Sequence, residues 1–150
     1  MTNYLNPDVA RVIRESGLSL KAFWMHIVDE DEDFELSTLN GKKTYRFIQE
    51  DFLDSIMQEE LSCDTYVLGS FNSNFLAGIL NIPEVLIKAA QSAGEYEAVG
   101  EAVLQLNKLA ELQEAYVSAD SYGHHFAHYD FNEEELYIQD GLCYYMFRTY

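Results

Sequence analysis

Apolar residues at helical spacing dominate the start of the chain, where helix start and stop signals are also present. Asn6 followed by Pro7 is typical of a helix N-terminus, and Gly17 predicts the end of that helix. Ser19 predicts the cap of a second short helix. The five consecutive acids at 29–33 repel one another, so they favour a solvated loop or the end of an element.

The middle of the chain contains one hairpin signal and then a series of helical patterns. Asn40-Gly41 between two short apolar runs predicts a β-hairpin across 34–48 with a type I′ turn. Apolar residues at three- and four-residue steps then predict helices. The expected helical ranges are 47–61, 65–80, 84–92 and 95–117.

The period of the pattern changes after residue 120, where aromatic-rich runs favour strands. These runs include Phe126 and Tyr129, 136–138 and 142–147, with a turn at Gln139-Asp140-Gly141. The sequence therefore predicts an α+β fold, with an N-terminal helical region followed by a C-terminal antiparallel β-meander. With 150 residues and no linker or repeat, we expect a single domain spanning 1–150.

The composition allows a sizeable core but gives the chain a strongly acidic character. Hydrophobic residues make up 48% of the chain and aromatic residues 14%, while 26 acids against 9 bases give a formal net charge of −17. Phosphate groups repel such a chain, so we expect no direct binding to nucleic acid or to an anionic membrane. The chain has no run of about 18 apolar residues and no secretory signal, which favours a cytoplasmic protein.

No motif for catalysis or for cofactor binding is present. The chain has no G-x-S-x-G, no S-x-x-K, no papain-like cysteine context and no phosphate-binding glycine loop. Cys63 and Cys143 lie outside any C-x-x-C motif and are expected to be free thiols. We therefore expect a function based on binding, with no enzymatic activity and no cofactor.

The alternative function is a metal-binding module or a metal-assisted enzyme that uses His124, His128 and Asp130. On a helix the two histidines would share a face and could bind one zinc ion, and on a strand they would also share a face. There is no H-E-x-x-H motif and no second cluster of Cys or His. The competing interpretation is that these imidazoles pack, half-exposed, among aromatic residues.

The acidity belongs to the elements that are expected to fold, and not to a tail. Between Phe47 and Phe147 there are 18 acids and only two bases, Lys88 and Lys108. Carboxylates three or four residues apart on a helix lie about 5–6 Å apart, which approaches the spacing of successive phosphates. The whole net charge of −17 corresponds to roughly 29 Å of duplex DNA. The candidate partner-binding residues are Glu50, Asp51, Asp54, Glu59, Glu60, Asp64, Glu97, Glu101, Asp31 and Asp33.

In size, acidity and lack of catalytic motifs, the chain resembles the small DNA-mimic proteins of phages and plasmids. The segments 121–126 and 144–148 are also similar to those of small mobile-element proteins. The resemblance implies an anti-restriction or anti-CRISPR inhibitor that occupies the basic nucleic-acid channel of a defence protein. Affinity would come from carboxylates facing Lys and Arg of the partner, with tyrosines as buried anchors. Acidity that serves solubility alone, or docking to a protein with no nucleic-acid role, stays open.

Overall fold

The computed structural model describes residues 5–139 and 141–150, which form an α+β fold, so the predicted fold class is confirmed. Contacts within the chain define two compact units. Unit 1 contains the described residues up to Leu53 and those from Asp120 onward, and unit 2 contains 54–119. The single domain stays a prediction, because two compact units can unfold either together or separately.

Helices and strands are interspersed along the described residues. In chain order the elements are α1 (Pro7–Glu15), α2 (Leu20–Val28), β1 (Asp33–Ser37), β2 (Thr44–Gln49), a 3-10 helix (Glu50–Phe52), α3 (Leu53–Ser62), α4 (Thr65–Gly69), α5 (Ser73–Leu80), α6 (Glu84–Ser92), α7 (Tyr96–Gln105), α8 (Leu109–Asp120), α9 (Gly123–Phe126), β3 (Glu134–Gln139) and β4 (Leu142–Arg148). Unit 1 therefore holds all of the strands, and unit 2 is helical.

The four strands form one antiparallel sheet in the order β1-β2-β4-β3. β2 pairs directly with β4, where Phe47 lies opposite Met146. The predicted order, an N-terminal helical region followed by a C-terminal antiparallel β-meander, therefore fits only broadly, since helices and strands are interspersed and the N-terminal hairpin supplies half of the sheet. The physical reason lies in β4, whose residues 143–147 are all buried. The backbone N–H and C=O groups of such a buried strand need partners, and strands on both of its edges supply them.

The core of unit 1 lies between the sheet and the helices α1 and α2. Phe23 of α2 packs on Phe47 with a centroid separation of 5.2 Å, and Phe34 of β1 stacks on Phe47 at 5.0 Å. Phe126 of α9 packs on Phe147 of β4 at 5.0 Å. The sheet thus holds apolar side chains on both faces, which agrees with the absence of an alternating apolar and polar pattern in β4.

The predicted starts of the first two helices are confirmed. The side chain of Asn6 accepts a hydrogen bond from the backbone N–H of Asp8 at 2.9 Å. The side chain of Ser19 accepts one from the backbone N–H of Ala22 at 3.1 Å. Both caps satisfy backbone donors that the first helical turn leaves without partners.

The predicted hairpin at Asn40-Gly41 is also confirmed, but its predicted type I′ turn is wrong. A type I′ turn needs positive φ at both central residues. Gly41 has φ +70°, whereas Asn40 does not lie in the positive-φ region. The side chain of Asn40 instead accepts a hydrogen bond from the backbone N–H of Lys42 at 2.9 Å, which stabilises a longer loop.

The helix predicted to cover 47–61 begins later than expected. Phe47 and Ile48 belong to β2, and the α-helix begins at Leu53, after the 3-10 turn. Apolar residues at positions 47 and 48 fit a buried strand as well as a helix, and pairing with β4 selects the strand.

The helix predicted over 84–92 is confirmed as α6. Each of the two longer predicted helices, 65–80 and 95–117, is divided into two helices in the structure. The range 65–80 is interrupted at 70–72, where the side chain of Asn72 caps α5. The range 95–117 is interrupted after Gln105, and Asn107 takes φ +57°. Leu106, expected on the buried face, is 50% exposed.

The strand-like prediction for Phe126 and Tyr129 is wrong, because Phe126 ends α9 and Tyr129 lies in a turn. The two later strands are confirmed as β3 and β4. Asp140 of the predicted turn between them lies outside the described residues.

Candidate protein-binding surface

In unit 2, helices α4 and α7 cross at two glycines. A Cβ atom on Gly69 would overlap the backbone oxygen of Tyr96, and one on Gly100 would overlap the backbone oxygen of Thr65. Both separations would be far below 3.0 Å, a distance that real Cβ atoms essentially never show. The two helices therefore touch through their backbones, and side chains beside the crossing are held on a fixed scaffold.

Three of the predicted acids lie beside this crossing. Asp64 caps α4, and its Oδ1 accepts a hydrogen bond from the backbone N–H of Val67 at 3.1 Å. Glu97 and Glu101 are one turn apart on α7, so they share a face. Because Thr65 lies against Gly100, the capped start of α4 lies next to the turn of α7 that ends in Glu101. All three carboxylates are on exposed residues.

Two tyrosines lie at the same crossing. Tyr66 of α4 packs on Tyr96 of α7 with a centroid separation of 5.2 Å, and Tyr66 is 54% exposed. Tyrosine combines a large rigid apolar area with a hydroxyl group and is enriched at interface hot spots. We call this set the α4–α7 surface, and its members are Asp64, Tyr66, Tyr96, Glu97 and Glu101.

The lysines of unit 2 do not lie among these carboxylates. Unit 2 contains ten acids and two lysines. Lys88 pairs with Glu84 at 3.3 Å on α6, and Lys108 pairs with Glu111 at 3.3 Å next to the start of α8. A hydrogen bond from Ser73, together with Lys88, also lowers the pKa of Glu84. Both lysines are thus partnered by glutamates outside the α4–α7 surface.

The acids predicted on α3 differ in their surroundings. Asp54 accepts a hydrogen bond from Nε2 of Gln113 at 2.8 Å, and Oε1 of Gln113 accepts one from Gln58 at 3.1 Å. Gln113 is only 3% exposed, so Asp54 belongs to a polar network of the core as well as to the surface. Glu59 is exposed and Glu60 is half-buried. The sequence did not reveal Gln113, because a glutamine on a helix carries no pattern signal.

The remaining predicted acids belong to unit 1, so the structure does not place them on the helices of unit 2. Glu50 and Asp51 lie on the 3-10 helix and are exposed. The row of acids predicted on one helix from Glu50 to Asp64 is therefore divided between the two units.

Asp31 and Asp33, also in unit 1, have cationic or ionisable partners. Oδ2 of Asp31 lies 2.6 Å from Nδ1 of His26. Asp33 accepts two hydrogen bonds from the guanidinium of Arg46, at 2.9 and 2.6 Å. These two carboxylates hold parts of unit 1 together, besides carrying charge.

The histidine segment forms one turn of helix and a following loop. His124 stacks on Phe131 with a centroid separation of 5.2 Å, and His125 packs edge-on against Phe126 at 4.7 Å. His128 and Asp130 lie beyond the end of α9 and are exposed. Within residues 5–139 and 141–150, no group of three or more His, Cys, Asp or Glu side chains is arranged to hold a metal ion.

The two cysteines are free thiols, as predicted, with Cys63 exposed and Cys143 buried. Burial, reinforced by the negative charge of Glu50, raises the pKa of Cys143 to about 11. Cys143 therefore stays protonated and unreactive at neutral pH.

A groove in unit 1 was not foreseen from the sequence. Trp24, Phe52 and Tyr144 line it together with Glu30 and Glu32, and its volume is about 370 Å³. These residues come from three distant segments, so no spacing in the sequence connects them. The acidic run and a tryptophan five residues before it were the only local signal.

Comparison with known proteins gives no relative for this chain. No family model, no curated protein and no solved structure matches it. In the described part of the chain, every helix is too short or too polar to cross a bilayer.

Proposed function

We propose that this protein is an acidic inhibitor that mimics nucleic acid and occupies a basic nucleic-acid-binding surface of a defence protein of the restriction or CRISPR type. The observation that carries the proposal is the α4–α7 surface, where exposed carboxylates and a tyrosine pair lie on two helices in backbone contact. The excess of acids over lysines in unit 2 supports it further.

A fixed scaffold favours this kind of binding. A carboxylate on a rigid helix loses less conformational entropy on binding than one on a loop, so more of its attraction to Lys or Arg remains as affinity. Glu97 and Glu101 have the spacing of about 5–6 Å that neighbouring helical turns give. Tyr66 offers an apolar anchor that charge alone does not supply.

The proposal is tested by inhibition of DNA cleavage in a panel of purified restriction enzymes and CRISPR effector complexes. We expect inhibition of at least one member, relieved by added DNA and by raised salt, since screening weakens attraction beyond about 8 Å at physiological ionic strength. Replacing Glu97→Gln with Glu101→Gln should weaken inhibition at least about tenfold, because desolvated charge pairs contribute more than 1 kcal/mol each.

The matched control removes two charges from α8 in the same unit. Glu111 and Glu114 are three residues apart, and Glu111 lies in the first turn of α8, as Glu97 does in α7. Glu111→Gln with Glu114→Gln should leave inhibition within about twofold, because neither residue belongs to the α4–α7 surface. Loss of the exposed Lys108–Glu111 pair should cost little stability. Equal loss of inhibition in both double variants would mean that inhibition depends on the net charge of the protein and not on the α4–α7 surface. Absence of inhibition across the panel, or inhibition that added DNA does not relieve, would contradict the proposal.

A further inference from the structure

The groove of unit 1 has an aromatic interior of defined size. It lies between α2, the loop that follows α2, and strand β4, and Trp24, Ile27, Phe52 and Tyr144 contribute its apolar walls. Its volume of about 370 Å³ is near the lower end of the range of about 300–1,000 Å³ for small-molecule sites. Such a groove accommodates one side chain or one small molecule, and it is too small for a helix or a strand.

The polar lining of the groove is negatively charged. Glu30 and Glu32 line it, and among the described residues neither carboxylate takes part in an ion pair or a hydrogen bond. The hydroxyl of Tyr144 donates to the backbone oxygen of Asp31 at 2.6 Å, so it is already occupied. Burial, together with the negative charges of Asp31, Glu30 and Glu32, raises the pKa of Tyr144 to about 12. The negative potential therefore extends to the aromatic wall.

We propose that this groove binds the side chain of an arginine presented by a protein partner. Trp24 and Phe52, both half-buried, offer aromatic surface, which attracts a guanidinium. The apolar walls cover the methylene stem, while the two glutamates accept charge-assisted hydrogen bonds from the guanidinium N–H groups.

Other occupants fit the groove less well. The two exposed carboxylates would repel an anionic group, and a purely apolar group would give them no partner. A lysine has a compact and strongly hydrated charge that neither stacks on a ring nor bridges two carboxylates in a planar fork. Charge and shape therefore select arginine.

This inference does not rest on the proposed function. The groove belongs to unit 1 and shares no residue with the α4–α7 surface of unit 2. Loss of arginine binding and loss of inhibition are therefore separate results, obtained with separate variants.

The test uses Trp24, which is the single tryptophan of the chain, so its fluorescence reports the groove directly. The full chain is titrated with the capped tripeptide acetyl-Gly-Arg-Gly-amide and with the same peptide carrying lysine or citrulline in place of arginine. We expect a saturable change with the arginine peptide, weaker binding of the lysine peptide, and at least about tenfold weaker binding of the uncharged citrulline peptide.

Two double variants locate the site. Glu30→Gln with Glu32→Gln should lower the affinity for the arginine peptide at least about tenfold, with the fold checked by circular dichroism. Glu15→Gln with Glu35→Gln removes the same charge from exposed residues of unit 1 and should change the affinity less than about twofold. Equal losses in the two variants, equal binding of the arginine and citrulline peptides, or no saturable change would overturn the proposal. Tighter binding of free arginine than of the capped peptide would also overturn it, in favour of a small-molecule site.

Discussion

The crossing of α4 and α7 predicts that one substitution has opposite effects at two glycines. Gly100→Ala places a methyl group against the backbone oxygen of Thr65, and no side-chain rotation can relieve that overlap. Gly78→Ala in α5 places the same methyl group where nothing lies within 4 Å apart from its chain neighbours and the backbone of its own helix. Both changes remove a helical glycine, so the difference between them measures the close contact.

The magnitude follows from two opposing contributions. Alanine is favoured over glycine inside a helix by about 0.8–1 kcal/mol, so Gly78→Ala should raise the free energy of unfolding by about that amount. Overpacking costs about 1–3 kcal/mol when side chains can adjust, and a clash with backbone should reach the upper end or exceed it. Gly100→Ala should therefore lower the free energy of unfolding by about 2 kcal/mol or more, after the gain in helix propensity is included.

Urea denaturation of the two variants provides the assay, with two signals followed in parallel. Circular dichroism reports mainly the helices, and the fluorescence of Trp24 reports unit 1. Destabilisation of Gly100→Ala in both signals would also support a single cooperative domain, whereas a shift in dichroism alone would indicate separate unfolding. If Gly100→Ala and Gly78→Ala change stability in the same direction, the helices do not meet at Gly100 and the argument for a rigid surface fails.

Three further predictions concern stability and are read from urea or pH titrations. Replacing Gln113 by alanine should lower the free energy of unfolding by about 1–3 kcal/mol, because Asp54 loses a hydrogen-bond donor and a buried polar cluster is broken. Asp33→Asn should lower the free energy of unfolding by about 1–2 kcal/mol, because it weakens the pair of hydrogen bonds that the partly exposed Arg46 donates to Asp33. The pKa of Tyr144 is about 10 in the unfolded chain and is raised to about 12 in the folded protein. The stability that Tyr144 contributes is therefore complete below about pH 10 and is lost as the pH rises through about 12. Tyr144→Phe should therefore flatten the alkaline loss of stability.

Each of these changes has a control on an exposed residue. Glu114→Ala on α8 and Glu35→Gln on β1 should change the free energy of unfolding by less than about 0.5 kcal/mol. Tyr150→Phe, at a tyrosine that is 66% exposed, is the control for Tyr144→Phe. A cost for Glu35→Gln equal to that of Asp33→Asn would mean that the charge of β1, rather than the bond to Arg46, stabilises the hairpin. Full loss of alkaline sensitivity with Tyr150→Phe would contradict the role assigned to Tyr144.

Features that depend on neighbouring residues could be predicted from the sequence, and features that depend on distant contacts could not. The caps at Asn6 and Ser19 involve atoms two or three residues apart, so the residue types were sufficient. The break at Asn107 lies in a segment whose apolar spacing continues through it, and periodicity does not detect a single residue with positive φ. Pairing of β2 with β4 joins segments about a hundred residues apart, which no local pattern encodes.

The candidate surface shows the same division. The acidity of 47–147 and the spacing of Glu97 and Glu101 were visible in the sequence, because they are composition and local order. The contact of Gly69 with α7 was not visible, since scattered glycines are equally compatible with loops. The groove around Trp24 needed the positions of Phe52 and Tyr144, which only the fold supplies.

Two groups of candidate acids have different consequences for any docking experiment. The short aspartates that have described partners bond within their own unit, either to a backbone N–H or to a neighbouring side chain. These are Asp31, Asp33, Asp54 and Asp64. Reversing their charge would change folding and binding together, so a loss of affinity could not be assigned to either.

Glu97 and Glu101 project further and carry no such bond among the described residues, yet their helix is fixed by the glycine crossing. They lose side-chain entropy on docking but little backbone entropy, and we expect the fold to remain when these exposed carboxylates are removed. The α7 glutamates are therefore the residues at which mimicry of nucleic acid can be tested separately from stability.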